Sequence, residues 1–201
     1  MKNNKLLLIF TRNPEFGKVK TRLAKTVGDE TALEIYRFLL KKTQEVAQKV
    51  IAEKAVFYSE KITENDQWNP EIFQKHLQLE GDLGMKMQHA FEQSFENGYE
   101  KVVIIGSDLY DITPEIIKNA FENLNTNDVV LGPAKDGGYY LLGMKSIHKP
   151  IFHHKKWGTA SVLKETLEDL TDKKVFLLEE LNDVDVFEDI EFHPAFQHFF
   201  D

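Results

Sequence analysis

Short apolar runs alternate along this chain with longer segments in which apolar residues recur every three or four positions. The runs predict strands at residues 5–11, 55–58, 101–105, 128–131, 139–142 and 175–178, with a weaker one at residues 76–79. Helical spacing is found at residues 29–51, 83–96 and 161–170, in a segment starting at Pro114, and in a short terminal segment at residues 187–200. This alternation predicts an α/β fold, with three α/β/α layers around a mostly parallel mixed sheet.

Two of these helices carry further signals. The predicted inner face of the helix at residues 29–51 consists of Leu33, Tyr36, Leu40, Thr43, Ala47 and Val50. Thr113 followed by Pro114 is typical of an N-cap and a first helical position. Because folds of this class bind ligands at the carboxyl ends of their strands, the residues just after each predicted strand are the candidates for function.

Length and composition exclude several classes of protein. A chain of 201 residues with 42% hydrophobic residues predicts a single domain spanning residues 1–201. Its net charge of −8 disfavours nucleic acid and anionic membranes as partners, since both require a broad basic surface. The absence of cysteine excludes disulfides and thiolate metal sites, and it fits a reducing cytoplasm, where we expect the protein. No apolar run is long enough to cross a membrane.

The loop after the first predicted strand is basic, although the chain as a whole is acidic. Its four cations are Arg12, Lys18, Lys20 and Arg22, and Gly17 lies among them. A basic loop between a strand and a helix predicts a site for a phosphorylated ligand, most specifically a nucleotide. The loop has too few glycines for a dinucleotide fingerprint, and Val19 replaces the Ser or Thr of a P-loop. A solvated loop that keeps the protein soluble is the alternative interpretation of this segment alone.

Acidic residues follow two other predicted strands. Asp108 comes just after the run at residues 101–105, and a carboxylate there suits a hard cation, Mg²⁺ or Mn²⁺. The alternative role for it, capping the next helix, suits Asp111 better. Asp183 and Asp185 are separated by one residue after the last strand, so in an extended segment both project to one side and could share that cation. A solvated acidic turn is the alternative for this pair.

A glycine pair joins the two predicted strands that precede residue 143. Gly137 and Gly138 permit close backbone approach to a ligand, and Asp136 beside them can accept a hydrogen bond from a hydroxyl group. A plain hairpin explains the same Asp-Gly sequence equally well.

Together these segments resemble the DUF2064 family, a glycosyltransferase-A-like (GT-A) group often labelled as arsenosugar biosynthesis glycosyltransferases. The matching motifs are Phe10 to Leu23, Gly81 to Met87, Gly106 to Asp108, Gly132 to Gly143, Trp157 to Thr159 and Asp183 to Asp189. The resemblance implies a nucleotide-diphospho-sugar transferase fold in which Asp108 is a metal ligand. The basic loop is also similar to that of 2-phospholactate guanylyltransferases. The chain departs from the family pattern at Leu109, Tyr110 and Val186, beside the proposed metal carboxylates.

These observations predict a metal-dependent transferase that moves a glycosyl group from a nucleotide sugar to a small-molecule acceptor. The loop cations would neutralise the diphosphate, and the metal would bridge its oxygens. Asp136 is the candidate general base, and Trp157 and Thr159 are candidate substrate contacts, although packing also explains a tryptophan beside glycine. Two alternatives remain open: a nucleotidyltransferase that uses a nucleoside triphosphate and releases pyrophosphate, and a non-catalytic nucleotide-binding module.

Overall fold

A computed structural model describes residues 4–200, which form seven strands and five α-helices. The strands are β1 (Lys5–Thr11), β2 (Glu53–Tyr58), β3 (Phe73–Leu77), β4 (Lys101–Ile105), β5 (Val129–Pro133), β6 (Tyr139–Met144) and β7 (Val175–Leu177). The helices are α1 (Thr21–Val27), α2 (Asp29–Gln48), α3 (Leu83–Glu96), α4 (Pro114–Asn123) and α5 (Val162–Glu168). Three 3-10 segments add Lys149–Phe152, Phe187–Asp189 and Pro194–Phe199.

The strands form one mixed sheet in the order β3-β2-β1-β4-β6-β5-β7. Only β6 runs antiparallel to its neighbours β4 and β5, and the other adjacent pairs in this described part of the chain are parallel. Parallel neighbours end at the same edge of a sheet, so the segments after β1, β4 and β7 and the turn between β5 and β6 all meet there. This edge carries every segment for which the sequence predicts function.

Side chains alternate between two buried layers along the central strands, as the period of two in a strand requires. Leu7 of β1 packs in the layer covered by α2 and α4, whereas Leu8 packs in the layer covered by α3. A smaller third cluster joins Leu23 of α1 to Val184 and Phe196 near the end of the chain. The predicted three-layer α/β/α class with a mostly parallel mixed sheet is therefore confirmed.

Most predicted elements are present, and Thr113 is the N-cap of α4, accepting a hydrogen bond from the Ile116 N–H at 3.3 Å. Three details differ. The helix α1 was not predicted; Gly28, at φ +84°, separates it from α2. Strand β3 begins at Phe73 rather than at residue 76, because it is a polar edge strand that lacks a clear apolar run. The terminal helical segment at 187–200 consists of two 3-10 pieces.

No helix in residues 4–200 combines the length and the apolar character needed to span a bilayer.

Candidate active site

A cavity of about 350 Å³ opens at the carboxyl edge of the sheet. Its polar lining includes Asp108 after β4, Asp136 in the β5–β6 turn and Asp183 after β7. Three segments that are distant in sequence therefore contribute carboxylates to one cavity. The site combines an acidic side with apolar and aromatic walls.

Lys20 of the basic loop forms an ion pair with Asp108. Its Nζ donates to Asp108 Oδ2 at 2.7 Å, and the Lys20 side chain is only 4% exposed, whereas that of Asp108 is 45% exposed. The backbone of Lys20 has φ +48°, in the left-handed region that non-glycine residues seldom adopt, immediately before α1 begins. The loop therefore places this cation inside the protein and against the strand-end carboxylate.

Arg22 forms a second such pair, with Asp185. The acidic segment that carries Asp185 is anchored beside β4, because the Val184 N–H donates to the Asp108 carbonyl oxygen at 3.0 Å. Asp189 Oδ2 accepts hydrogen bonds from the backbone N–H groups of Asp185 and Val186, both at 2.8 Å, and this cap turns the chain into a 3-10 segment. As a result Asp183 lines the cavity, while Asp185 bonds to Arg22 and is not part of the lining.

The two residues Asp108 and Asp183 have the chemistry of a divalent-cation site. Burial raises the pKa of Asp183, and the negative charges of Asp136 and Asp108 raise it further, so a cation between these groups would relieve repulsion. Within residues 4–200, no three acidic or histidine side chains are grouped so that they alone could hold a metal ion. Two carboxylates completed by water and phosphate oxygens are the usual protein site for Mg²⁺, so the residues present fit that ion.

The two remaining cations of the loop are exposed. Lys18 Nζ lies 2.6 Å from Glu15 Oε2 and 3.6 Å from Glu60 Oε2, and these carboxylates raise its pKa. The Arg12 side chain is exposed, as is Gly17, whose φ of +70° turns the loop. Of the four predicted phosphate-binding cations, Lys20 alone is buried, whereas Arg12, Lys18 and Arg22 are exposed.

A buried tyrosine connects the ends of β1 and β4. The Tyr36 hydroxyl accepts from the Arg12 N–H at 2.9 Å and lies within 3.3 Å of Thr11 Oγ1 and 3.2 Å of Ser107 Oγ. Burial, with a contribution from Asp108, raises the pKa of Tyr36 to about 12, so the hydroxyl stays protonated. The sequence predicted Tyr36 only as an inner-face residue of a helix, and its hydroxyl holds the basic loop against the segment that carries Asp108.

We expect Tyr36→Phe to lower the free energy of unfolding by about 1–3 kcal/mol, because the Arg12 N–H loses its acceptor and the hydroxyl groups of Thr11 and Ser107 each lose one partner. Denaturant unfolding would measure the change. The control Tyr110→Phe keeps its ring stacked on Phe38 at 5.5 Å and should stay within about 0.5 kcal/mol of wild type. Equal effects in the two variants would show that the Tyr36 hydroxyl does not stabilise this junction.

The β5–β6 turn is a hairpin and also part of the cavity. Asp136 Oδ1 accepts from the Gly138 N–H at 2.8 Å, and Gly137 adopts φ +89°. A Cβ added at Gly137 would overlap the carbonyl oxygen of Ala160, so the turn packs tightly on the segment that follows Trp157. The turn is therefore a hairpin, and its residues Asp136 and Gly138 line the cavity, whereas Gly137 does not.

Trp157 and Thr159 also line the cavity. The Trp157 ring packs on the start of α3, where a Cβ added at Gly84 would lie 2.7 Å from Trp157 Cζ2, and it meets Tyr139 edge-on at 6.5 Å. The Thr159 hydroxyl donates to the Lys156 carbonyl oxygen at 2.7 Å. Trp157 thus packs against α3 and Tyr139 and also forms part of the cavity wall.

Sequence reasoning missed the apolar lining, which includes Phe10, Met87 and Tyr139. The position of Phe10 near the end of β1 was the one available signal. The departures from the family pattern have packing roles: Leu109 is buried in the core, and Tyr110 packs among Phe38 and other aromatic rings.

Comparison with known proteins identifies both a family and a fold. The model of the family described as DUF2064, an uncharacterised protein conserved in bacteria, matches residues 42–159. A solved structure from Desulfovibrio desulfuricans G20, provisionally named a nucleotide-diphospho-sugar transferase, is 32% identical with a TM-score of 0.85. The similarity covers 92% of this chain and 84% of that one. The comparison with curated proteins gave no significant match.

More distant solved structures share the fold. The 4-diphosphocytidyl-2C-methyl-D-erythritol synthase of Anaerococcus prevotii is 12% identical, with a TM-score of 0.59 over 97% of each chain. A cytidylyltransferase of Leptospira borgpetersenii is 15% identical, with a TM-score of 0.58 over 94% of this chain and 84% of that one. The family match over more than half of the chain and the close structural relative agree, and the chain belongs to the DUF2064 family.

Proposed function

We propose that this protein is a transferase that uses a nucleotide-activated donor, and that its reaction is glycosyl transfer from a nucleotide sugar to a small molecule. The observation that carries the proposal is the two ion pairs, Lys20–Asp108 and Arg22–Asp185, beside an acid-lined cavity. The name of the Desulfovibrio relative, which refers to nucleotide-diphospho-sugars, supports the same donor class.

The paired charges suit a diphosphate that arrives together with a divalent cation. Without ligand, Lys20 and Arg22 are each paired with a carboxylate. A metal-bound diphosphate can replace the contacts within these ion pairs. Asp108 can bind the metal, while Lys20 and Arg22 donate hydrogen bonds to phosphate oxygens. Arg12 and Lys18, which are exposed on the same loop, extend the positive surface toward the nucleotide.

Asp108 and Asp183 are the residues that would hold Mg²⁺ or Mn²⁺. When bound, this ion supplies further neutralisation of the charge on the departing diphosphate. Lys20 and Arg22 would stabilise the same charge through their hydrogen bonds to the phosphate oxygens.

In the transfer step, the acceptor oxygen forms a bond to the anomeric carbon, and the bond from that carbon to the diphosphate oxygen breaks. Asp136 accepts the proton of the acceptor hydroxyl, and the nucleoside diphosphate leaves with the bonding electron pair. Asp136 fits this role because it lines the cavity from an exposed turn that the bond to Gly138 holds in shape.

Nucleotidyl transfer is the second candidate. The observation that favours it is the cluster of cations on the first loop, since a triphosphate carries more negative charge than a diphosphate. The reactions differ in their products: glycosyl transfer releases a nucleoside diphosphate, whereas nucleotidyl transfer releases pyrophosphate.

A thermal-shift screen of nucleotide sugars and nucleoside triphosphates, each with and without Mg²⁺, tests the proposal. A ligand at about 100 times its Kd adds roughly 2.7 kcal/mol, which raises the Tm of a chain of this length by about 5–10 °C. We expect a magnesium-dependent rise with at least one nucleotide sugar. A rise with triphosphates alone would favour nucleotidyl transfer, and an unchanged Tm across the panel would contradict both reactions.

A further inference from the structure

The cavity beside the ion pairs has an unusual charge for a site next to a phosphate-binding loop. The acidic residues of its lining are Asp108, Asp136 and Asp183, and the lining drawn from residues 4–200 includes no lysine, arginine or histidine. Lys20 neutralises Asp108 but is itself outside the lining. All the charged side chains that line the cavity are therefore acidic.

Much of the remaining wall is apolar or aromatic. The main contributors are Phe10, Leu83, Met87, Tyr139 and Trp157. A space of about 350 Å³ with such walls is within the range of small-molecule sites, in which apolar surface supplies binding energy and a few polar groups fix the orientation. The apolar wall and the acidic side face the same space.

We infer that this cavity binds the acceptor, and that the acceptor is a hydroxyl-bearing molecule without negative charge whose apolar or aromatic part packs against Phe10 and Trp157. The inference deepens the proposed function, and it rests on that function because an acceptor site requires a transfer reaction. It excludes sugar phosphates and carboxylic acids as acceptors.

Electrostatic repulsion is the reason for the exclusion. A phosphate group brings up to two negative charges close to carboxylates in a partly desolvated space, where like charges repel more strongly than in water. A divalent cation would offset Asp108 and Asp183, but Asp136, which is exposed in the β5–β6 turn, forms no ion pair with any residue in 4–200 that would offset it. An uncharged or cationic molecule meets no such penalty, and its hydroxyl can donate to Asp136.

The inference also separates the candidate reactions. A nucleotidyltransferase whose acceptor attacks through a phosphate oxygen must hold that anion near the donor, and it needs cations in the acceptor site to do so. The observed lining offers the opposite charge. A neutral acceptor hydroxyl agrees with glycosyl transfer.

Three probes of similar size but different charge test the inference: benzyl alcohol, benzylamine and benzyl phosphate. Binding to the full-length protein is measured by chemical-shift changes in NMR spectra, without nucleotide or metal, at the millimolar concentrations at which such fragments bind. We expect benzyl alcohol and benzylamine to bind, and benzyl phosphate to bind at least about tenfold more weakly, the ratio that a single net charge repulsion of 1.4 kcal/mol produces. Equal or tighter binding of benzyl phosphate would overturn the inference, as would the absence of binding by all three.

Two variants test whether the discrimination against benzyl phosphate arises from the charge in the cavity. Asp136→Asn should reduce the discrimination against benzyl phosphate severalfold, whereas the matched control Asp111→Asn, outside the cavity, should preserve the discrimination. An equal loss of discrimination in both variants would contradict a role for the cavity charge.

The outcome is independent of the nucleotide screen, because no probe contains a nucleotide. A protein that binds nucleotide sugars and prefers benzyl phosphate would refute only the acceptor class. A protein that prefers the uncharged probe but binds no nucleotide would refute the proposed function, and with it the acceptor role of the cavity, but not the preference of the cavity for molecules without negative charge.

Discussion

Asp108→Asn is expected to abolish the magnesium-dependent stabilisation by the donor and to lower turnover by at least about a hundredfold, the usual cost of removing one electrostatic group from a catalytic site. Asp108 is the carboxylate at the end of β4 that pairs with Lys20 and lines the cavity. Asparagine has the same shape and can still accept the hydrogen bond from Lys20 Nζ, so the variant should fold. It lacks the negative charge that a divalent cation requires.

Asp111→Asn is the matched control, because Asp111 lies three residues further on, is exposed, and is not part of the cavity lining. Its donor response should equal that of wild type. Thermal shift with and without Mg²⁺, together with an assay of released nucleoside diphosphate, measures both variants. Wild-type magnesium dependence in Asp108→Asn would remove this residue from the metal site.

Lys20→Met should weaken binding of the nucleotide donor by about 10- to 100-fold, because charge-assisted hydrogen bonds to a phosphate are worth roughly 1.5–3 kcal/mol. The same variant should bind Mn²⁺ alone more tightly than wild type, since Asp108 is then free of its competing cation. These opposite changes are specific to a lysine that exchanges its carboxylate for a phosphate. Methionine resembles lysine in length and suits the buried position, where the side chain is 4% exposed.

Lys18→Met provides the comparison within the same loop. Lys18 is 60% exposed and pairs with Glu15, so we expect a smaller loss of donor affinity and no change in Mn²⁺ binding. Isothermal titration with the nucleotide identified by thermal shift, and electron paramagnetic resonance of bound Mn²⁺, measure the two affinities. If Lys20→Met weakened nucleotide and metal binding alike, an exchange of partners at Asp108 would be ruled out.

Sequence patterns predicted the central elements of the fold best. The β4 prediction, residues 101–105, matches the observed strand because four consecutive apolar residues are buried between two helical layers. The edge strand β3 was displaced, since Gln74 and Lys75 carry no apolar period that marks its start. Helix α1 was missed because its sequence, with Arg22 and Lys25, resembles the basic loop that precedes it.

The candidate site was predicted at the level of segments rather than side chains. The sequence does not distinguish Lys18 from Lys20. Lys20 is the buried one because its left-handed backbone and its ion pair with Asp108 place its side chain inside the protein. Likewise, alternation in an extended strand predicted that Asp183 and Asp185 face the same side. The cap by Asp189 turns the chain at that point, and a tertiary pairing with Arg22 determines where Asp185 points.

The two ion pairs also have a consequence for the order of folding. Lys20 and Asp108 are 88 residues apart, and Arg22 and Asp185 are 163 apart. Contacts that close such long loops lose much chain entropy and form slowly. During synthesis, the proposed donor site cannot be completed until the segment around Val184 has emerged and docked beside β4. If the proposal holds, nucleotide affinity measures how completely the chain has folded, and bound nucleotide should protect this late-arriving segment from proteolysis.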